Sequence, residues 1–452
     1  MPLRLFFCSL CTFVYLVGGS ITSPAQSQNL PYQQDPRANV LAIQAIDLDV
    51  PTWLISNDHS EMVSVRLTFL GGTSLADNRT IAQLSTSIGD VLAITPALKQ
   101  QGISLSFTVT ARAWQISIYA LKEDLPLTMD SLAKLLRRDF YTEQDFIRAQ
   151  DNLIAQREAD AIDPDFALGL ALDHTLKDGT PLARTMRPQR IKSLTLTQMD
   201  HYLNNQLQRA HLRIAVAGDV RAADLKALLA PVLAALPATP IPTRPPLRYG
   251  PCALCGDDLA IAWDTDEALV ALARHGPRRE DPDYYPLRVA LSYLSGGLSS
   301  RLMAVLREEL NLTYGAQAFL STDHIGSGLF VYATTRNEDI PALRHATSDI
   351  FYDVIERGMS EADLTDSKQA LIESFYIALR SNRALSEIMA GWQTLTLTPN
   401  HQQIMHQAIA DVSHQDIRRA AARYLDPAGF ATIAVGRIDD GFTSIVTLDD
   451  LW

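Results

Sequence analysis

The alternation of apolar and polar residues predicts both strands and helices along the whole chain. The β-branched and apolar run from Met62 to Leu70 predicts a strand. An apolar stripe at i, i+3, i+4 and i+7 covers residues 287–294, and helical periodicity also covers residues 146–161 and 299–310. Because the predicted strands cluster around helix pairs, we expect an α+β fold with mainly antiparallel sheet and helices packed on one face.

An internal repeat spaced by about 215 residues is the clearest sign of organisation. Residues 118–126 and 331–341 share one pattern, a strand followed by acidic residues and a proline that opens a helix. Thr142 and Ser360 are both hydroxyl N-caps followed three residues later by an aspartate. β-rich runs close the two halves at residues 214–218 and 433–436. Three such matches in the same order indicate a duplication.

Between the halves, residues 237–251 contain six prolines in fifteen positions. Such a segment cannot form a helix or a central strand, so it predicts an extended linker. We expect one domain over residues 38–236 and a second, homologous domain over residues 252–452. The length of 452 residues suits two domains of about 200 residues each.

Composition and charge narrow the class of protein. The chain is 47% hydrophobic and 20% charged, as in an ordinary globular protein. Its formal net charge of −12 argues against a general nucleic-acid binder.

The first 25 residues have the pattern of a secretion signal. Arg4 precedes an apolar run over residues 5–17, and small residues follow up to Ala25. The run is too short for a spanning helix, although a retained anchor is the alternative. We therefore expect export across the inner membrane, a periplasmic location and no stable membrane insertion.

Four cysteines fall into two pairs. Cys8 and Cys11 lie in the signal, and Cys252 and Cys255 are the first and fourth residues of the predicted second domain. An oxidising compartment favours a local disulfide between the second pair. A zinc half-site or a redox-active pair are the alternatives, but no second ligand pair and no surrounding strand–helix pattern accompany it.

The helix that follows the strand Met62 to Leu70 resembles the start of the pitrilysin-type (M16) zinc peptidases. In that family the helix carries H-x-x-E-H, in which two histidine ligands flank a glutamate base. Here Gln83 and Ser87 stand at the ligand positions and Thr86 at the position of the base. An amide and two hydroxyls are poor zinc donors, so we expect no metal or other cofactor in this chain.

A later helix would carry the third metal ligand of the family. Alignment places Gln156 at that position, with Glu158 as a nearby alternative. The charged string over residues 157–160 predicts a solvated helix face.

In the second half, a Gly/Ser-rich turn opens a helix that carries Arg307, and Tyr314 follows seven positions later. This stretch resembles the second domain of compact bacterial M16 peptidases. The resemblance implies that the pair contacts the substrate backbone, where a guanidinium and a phenol would donate to a developing oxyanion. The alternative is a solvated Arg307 and a half-buried Tyr314. Further contacts with the peptide backbone are expected from Gly296, Gly297 and Ser299.

The resemblance covers about residues 40–440 and implies two domains arranged as a clamshell. Some bacterial M16 enzymes pair a zinc-bearing chain with a related chain that has lost the motif. The resemblance therefore implies a non-catalytic subunit of an exported heterodimeric zinc metallopeptidase. Its partner would be a related H-x-x-E-H subunit that holds the zinc, and its substrate an unfolded peptide. The alternative is a catalytically inert homodimeric peptide-binding or scaffold protein of the same fold.

Overall fold

A computed structural model describes residues 41–58, 60–93, 102–137, 141–180, 182–183, 185–238, 248–322, 326–438 and 441–452. The predicted signal, residues 1–25, lies outside the described residues, as do residues 239–247 of the predicted linker.

Within the described residues, each half of the chain contributes one six-stranded sheet. The strands of the first sheet are β1 Gln44–Ile46, β2 Thr52–Ser56, β3 Met62–Leu70, β4 Ser104–Val109, β5 Ala113–Leu121 and β6 Leu212–Gly218. The strands of the second sheet are β7 Asp258–Ala262, β8 Glu267–His275, β9 Ala316–Thr322, β10 Ser327–Arg336, β11 Ala431–Gly436 and β12 Ser444–Val446.

The helices of the first half are α1 Arg79–Ala93, α2 Leu125–Leu136, α3 Glu143–Asp160, α4 Pro164–Lys177, α5 Pro188–Ile191, α6 Leu196–Gln206 and α7 Ala222–Ala235. Those of the second half are α8 Tyr284–Ser295, α9 Ile340–Arg357, α10 Glu361–Ala378, α11 Asn382–Thr394, α12 His401–Ala410, α13 His414–Tyr424 and α14 Leu448–Leu451, with a π-helix at Met303–Glu309.

Five strands of each sheet follow the same order, and the sixth, at one edge, comes from the start of the first half (β1) but from the end of the second half (β12). The first sheet runs β1-β2-β6-β3-β5-β4 and the second β12-β7-β11-β8-β10-β9. In the first sheet the successive pairings from β6 to β4 are antiparallel, as is β1 with β2, whereas β2 lies parallel to β6. In the second sheet the successive pairings from β11 to β9 are antiparallel, whereas β7 lies parallel to both β11 and β12. The predicted α+β class with mainly antiparallel sheet is confirmed.

The local signals of the repeat recur in the structure. Pro126 and Pro341 lie in the first turns of α2 and α9, each after a short 3₁₀ turn that follows a strand. The Thr142 hydroxyl accepts the amide proton of Asp145, and the Ser360 hydroxyl accepts that of Asp363. These caps satisfy amides at the starts of α3 and α10 that have no partner within the helix.

One face of each sheet packs against helices of its own half, and the other face packs against a helix from the opposite half. α11, in the second half, covers the first sheet, and α4, in the first half, covers the second sheet. Sequence periodicity did not indicate this exchange. The buried side chains of the first contact come from the sheet, Trp53, Ile55, Ala215 and Ala217, and from α11, Leu385, Ile388, Met389, Ala390 and Trp392. Those buried with α4 are Ala167, Leu168, Leu170, Ala171, Leu259, Ile261, Leu269, Ala271, Ile433, Val435 and Leu451.

A polar seam fixes α11 on the first sheet. The Arg66 guanidinium, on β3, donates to Glu387 at 3.0 Å and to the Ser386 hydroxyl at 3.3 Å. The Ser386 and Ser64 hydroxyls lie 2.8 Å apart. Asn382 donates its side-chain amide to the Met62 carbonyl at 2.8 Å. Since buried polar groups need partners, these bonds select one position of the helix on the sheet.

Cys252 and Cys255 form a disulfide at the start of the second half. The amide of Ala253, within this loop, donates to the Thr175 carbonyl at the end of α4 at 2.9 Å. The loop thereby holds the end of the crossing helix.

Of the helices described, none combines the length and the apolar character needed to cross a bilayer.

A double-mutant cycle tests the contact between halves. We expect Arg66→Gln and Glu387→Gln to lower the free energy of unfolding with a coupling energy of about 0.5–2 kcal/mol, because the two groups share one ion pair. Urea unfolding of the four proteins measures it. The control pair is Lys192 and Asp151, 3.7 Å apart and both largely exposed, with a coupling near zero. A coupling near zero for both pairs would contradict the seam.

Candidate functional site

The first group of predicted site residues lies on α1, which is held at its N-terminal end. Arg79 forms an ion pair with buried Asp173 on α4, and Arg79 also donates to the Leu182 carbonyl at 3.1 Å. Lys177 pairs with the same carboxylate. Burial by itself would raise the pKa of Asp173, but the two cations outweigh it and lower that pKa. The start of α1 is therefore tied to the helix that crosses to the second sheet.

The two hydroxyls at the degenerate motif are engaged with their own helix. The Thr86 hydroxyl donates to the Gln83 carbonyl at 2.7 Å, and the Ser87 hydroxyl donates to the same oxygen at 3.3 Å. Back-bonding of this kind is common for Ser and Thr within helices. Both hydroxyl groups therefore have a hydrogen-bond partner within α1.

The side chain that faces Gln83 is Arg157, on α3. Its Nη2 donates to the Gln83 amide oxygen at 2.8 Å. The neighbouring Gln156 and Glu158, expected near the third ligand position, are both exposed. Arg157 was expected on a solvated face, and that prediction is wrong, because its side chain is only 7% exposed. Because Arg157 is charged, the sequence pattern did not indicate that its side chain is buried.

Three aspartates surround the turn between α3 and α4. Asp160 pairs with Arg157, and Asp165 accepts a hydrogen bond from the Tyr332 hydroxyl at 3.0 Å. Burial raises the pKa of Asp160, although the Arg157 charge opposes the rise and Asp163 adds to it. Burial also raises the pKa of Asp165, against the hydrogen bond from Tyr332. The carboxylates thus serve as partners for neighbouring groups of the chain.

The residues at the degenerate motif do not fit zinc. The two hydroxyls bond to the helix backbone, and the amide oxygen of Gln83 already accepts from a guanidinium. Zinc in proteins is held by thiolate, imidazole or carboxylate donors. Among the residues that the structure describes, no group of three or more His, Cys, Asp or Glu side chains could hold a metal ion.

The second group of site residues lies in the second half, around the π-helix Met303–Glu309. The sequence predicted regular helix over residues 299–310. Instead the Leu310 amide donates five residues back, to the Val305 carbonyl, at 3.0 Å. The wider turn keeps Leu306 in the core while the Arg307 side chain stays 42% exposed. π-helical turns recur at functional sites in proteins.

Arg307 forms an ion pair with Glu308, its neighbour in the chain, with Nε 3.4 Å from Oε1. Both side chains are well exposed, so solvent screens this pair. The guanidinium can therefore exchange this partner for another at little cost.

The loop that carries Tyr314 is fixed by hydrogen bonds to its backbone groups. The Thr335 hydroxyl donates to the Leu312 carbonyl at 2.6 Å, and the Leu312 amide donates to the Leu306 carbonyl at 2.8 Å. The Thr313 hydroxyl accepts from the Gly315 amide at 3.0 Å. Tyr314 itself is 81% exposed. A large aromatic side chain is thus held outward on a constrained loop.

The Gly-rich turn that precedes the π-helix is open to solvent. Gly296, Gly297 and Ser299 are exposed, and Leu298 between them is 77% exposed. Gly297 has φ near 146°, and open space surrounds the position of a side chain there. The Ser295 hydroxyl accepts the Ala318 amide at 2.9 Å, which fastens the turn to β9.

Residues 193–371 match the sequence profile of the family described as "Peptidase M16 inactive domain". The chain is 24% identical over 356 residues to the non-peptidase homolog YmxG of Helicobacter pylori, covering 75% of this chain and 81% of that protein. It is 25% identical over 347 residues to a probable mitochondrial-processing peptidase subunit beta of Arabidopsis thaliana, covering 72% of this chain and 64% of that relative.

A solved structure of the peptidase M16 inactive domain from Pseudomonas fluorescens superimposes with a TM-score of 0.78 at 19% identity, over 88% of this chain and 98% of that one. The fold is that of the M16 inactive-domain structures, and the family profile matches within residues 193–371, so the expected resemblance to the M16 peptidase family is confirmed. By that resemblance, Gln83, Thr86 and Ser87 correspond to the H-x-x-E-H residues.

Removing the Thr335 hydroxyl tests the constraint on Tyr314. We expect Thr335→Val to lower the free energy of unfolding by about 1–2 kcal/mol, since the Leu312 carbonyl loses its donor. Backbone amides 310–315 should exchange with deuterium faster, as measured by mass spectrometry. The control is Thr365→Val on α10, where an exposed hydroxyl bonds its own helix. Unchanged exchange in the Thr335 variant would contradict a fixed loop.

Proposed function

We propose that this chain is the non-catalytic subunit of an exported, heterodimeric M16-type metallopeptidase. It would bind the backbone of an unfolded peptide, while a related chain with an intact H-x-x-E-H motif supplies the metal. The observation that carries the proposal is an asymmetry between the halves. Gln83 and Ser87, at two of the three ligand positions of the first half, are engaged in internal hydrogen bonds, whereas Arg307 and Tyr314 of the second half remain exposed.

The chemistry of the exposed pair suits peptide hydrolysis. A peptide carbonyl under attack gains negative charge on its oxygen. A guanidinium and a phenol hydroxyl are strong donors to that oxygen, and fixed donors stabilise it best. The bonds that hold the Tyr314 loop support such a fixed donor.

The turn before the π-helix supports an extended ligand. Gly296 and Gly297 are exposed and have no side chain, so a peptide main chain could approach their backbone closely. Leu298 adds an exposed apolar side chain beside them. Main-chain recognition of this kind requires an unfolded segment and tolerates many side chains.

The relatives support a subunit role. One is named a non-peptidase homolog and another a subunit beta of a processing peptidase. Export is supported by the signal-like N-terminus and by the Cys252–Cys255 disulfide, since disulfides persist in oxidising compartments. The expected location is the periplasm.

Purification from the native host, with mass spectrometry and metal analysis of what accompanies the chain, tests the partnership. We expect an H-x-x-E-H relative that brings zinc, no peptidase activity from the isolated chain, and cleavage of an unfolded peptide by the mixture. Full activity from the isolated chain would refute the proposal. A stable homodimer without such a partner would favour the inert peptide-binding or scaffold alternative.

In the reconstituted complex, Arg307→Ala and Tyr314→Phe test the donor pair. Loss of one oxyanion donor lowers kcat by about 10²–10³-fold, and we expect a fall of that order with the complex intact. Turnover and size-exclusion chromatography measure the two effects. The control is Arg357→Ala, an 81% exposed arginine on α9, which should leave kcat unchanged. Equal kcat in all variants would show that the pair is only a solvated surface.

A further inference from the structure

The degenerate motif contains a buried cation of its own. The Arg157 side chain, on α3, is 7% exposed and reaches across to Gln83 on α1, where Nη2 donates to the amide oxygen at 2.8 Å. Gln83 stands at the first ligand position of the family motif. A positively charged group therefore lies against the residue at the position where the family carries its first metal ligand.

The surroundings of Arg157 match the needs of a cation. Asp160, one turn further along α3, supplies a carboxylate. The face of the Phe166 ring lies 5.5 Å from the guanidinium carbon. A buried charge is costly unless it has a counter-charge and hydrogen-bond acceptors, and Asp160 and Gln83 provide both. The aromatic face adds a cation–π contribution.

The same guanidinium connects elements that lead to the second half. Phe166 lies in the first turn of α4, the helix that crosses to the second sheet. Its ring packs on that of Trp452, the last residue of the chain, with centroids 5.4 Å apart. Arg157 thus links α1 and α3 to the point where the two halves meet.

We propose that the Arg157 guanidinium takes the place of the metal ion in this chain. It is a permanent internal cation that joins α1 to α3 and α4, and it excludes a divalent ion by charge as well as by volume. The loss of zinc binding then has two separate causes, the missing ligands and the resident cation. The inference concerns this chain alone and does not depend on the proposed partner.

Isothermal titration of the purified chain with zinc chloride tests whether Arg157 excludes the metal ion. The variant Gln83→His/Ser87→His restores two imidazoles on one face of α1. A second variant adds Arg157→Gln, which removes the charge and supplies no strong ligand. The matched control adds Arg148→Gln instead, a 58% exposed arginine on the same helix.

We expect the variant with Arg157→Gln to bind zinc at least about tenfold more tightly than the other two, because a like charge no longer faces the ion. Equal affinity in all three proteins would overturn the proposal. If none of them binds measurably, Gln83→His/Ser87→His with Arg157→Glu offers a third ligand. Failure of that protein to bind one zinc, with a native circular dichroism spectrum, would also overturn it.

Thermal unfolding of single variants of the wild-type chain tests separately whether Arg157 links the helices. We expect Arg157→Gln to lower the thermal unfolding midpoint by several degrees and Arg148→Gln to leave it within about 1 °C, since an exposed charge contributes little. We expect Gln83→Glu, which gives the guanidinium a carboxylate, to keep or raise the midpoint. A lower midpoint for Gln83→Glu than for Arg157→Gln would contradict the contact.

Discussion

The exchange of two helices between the halves is the constraint on which the rest of the structure depends. A sheet has two faces, and in this chain each sheet buries only one of them against helices of its own half. α11 covers the remaining face of the first sheet, and α4 covers that of the second. Because each of these clusters is built from both halves, neither sheet can bury its apolar surface alone. The two halves are therefore expected to fold and remain associated as one unit.

This exchange also explains why α1, which carries Gln83 and Ser87, is firmly held. α4 crosses to the second sheet, and its buried Asp173 binds Arg79 at the start of α1. Arg157 adds a second tie, from α3 to Gln83 on α1. The side chains between these helices are thus engaged in contacts that stabilise the junction of the two halves.

In the second half, by contrast, the candidate site residues are exposed. The π-helix leaves Arg307 at the surface, and a set of local hydrogen bonds holds the Tyr314 loop in one conformation. An exposed tyrosine contributes little to stability, and its rigid presentation is consistent with recognition of a ligand. The internally bonded Gln83 and the exposed pair Arg307 and Tyr314 thus lie in different halves and depend on different local structure.

Much of this arrangement was predictable from local signals. The strand Met62–Leu70, the capped helices after Thr142 and Ser360, and the duplication follow from side-chain periodicity and N-cap chemistry, which act over a few residues. The identities of Gln83, Thr86 and Ser87 were likewise sufficient to exclude a normal zinc motif. Arg307 and Tyr314 were selected by resemblance. Charge and spacing predicted a solvated Arg307, but they did not predict the 81% exposure of Tyr314.

By itself, the sequence determined the fold class, several of the elements, the repeat and the lack of an H-x-x-E-H triplet at residues 83–87, because these depend on residue type and short-range order. The tertiary structure alone decided that α4 and α11 change partners and that Arg157, not Gln156, faces Gln83. Both outcomes depend on contacts between residues far apart in the chain. Burial of an arginine, in particular, becomes favourable only when distant segments bring an amide, a carboxylate and an aromatic ring to the same place.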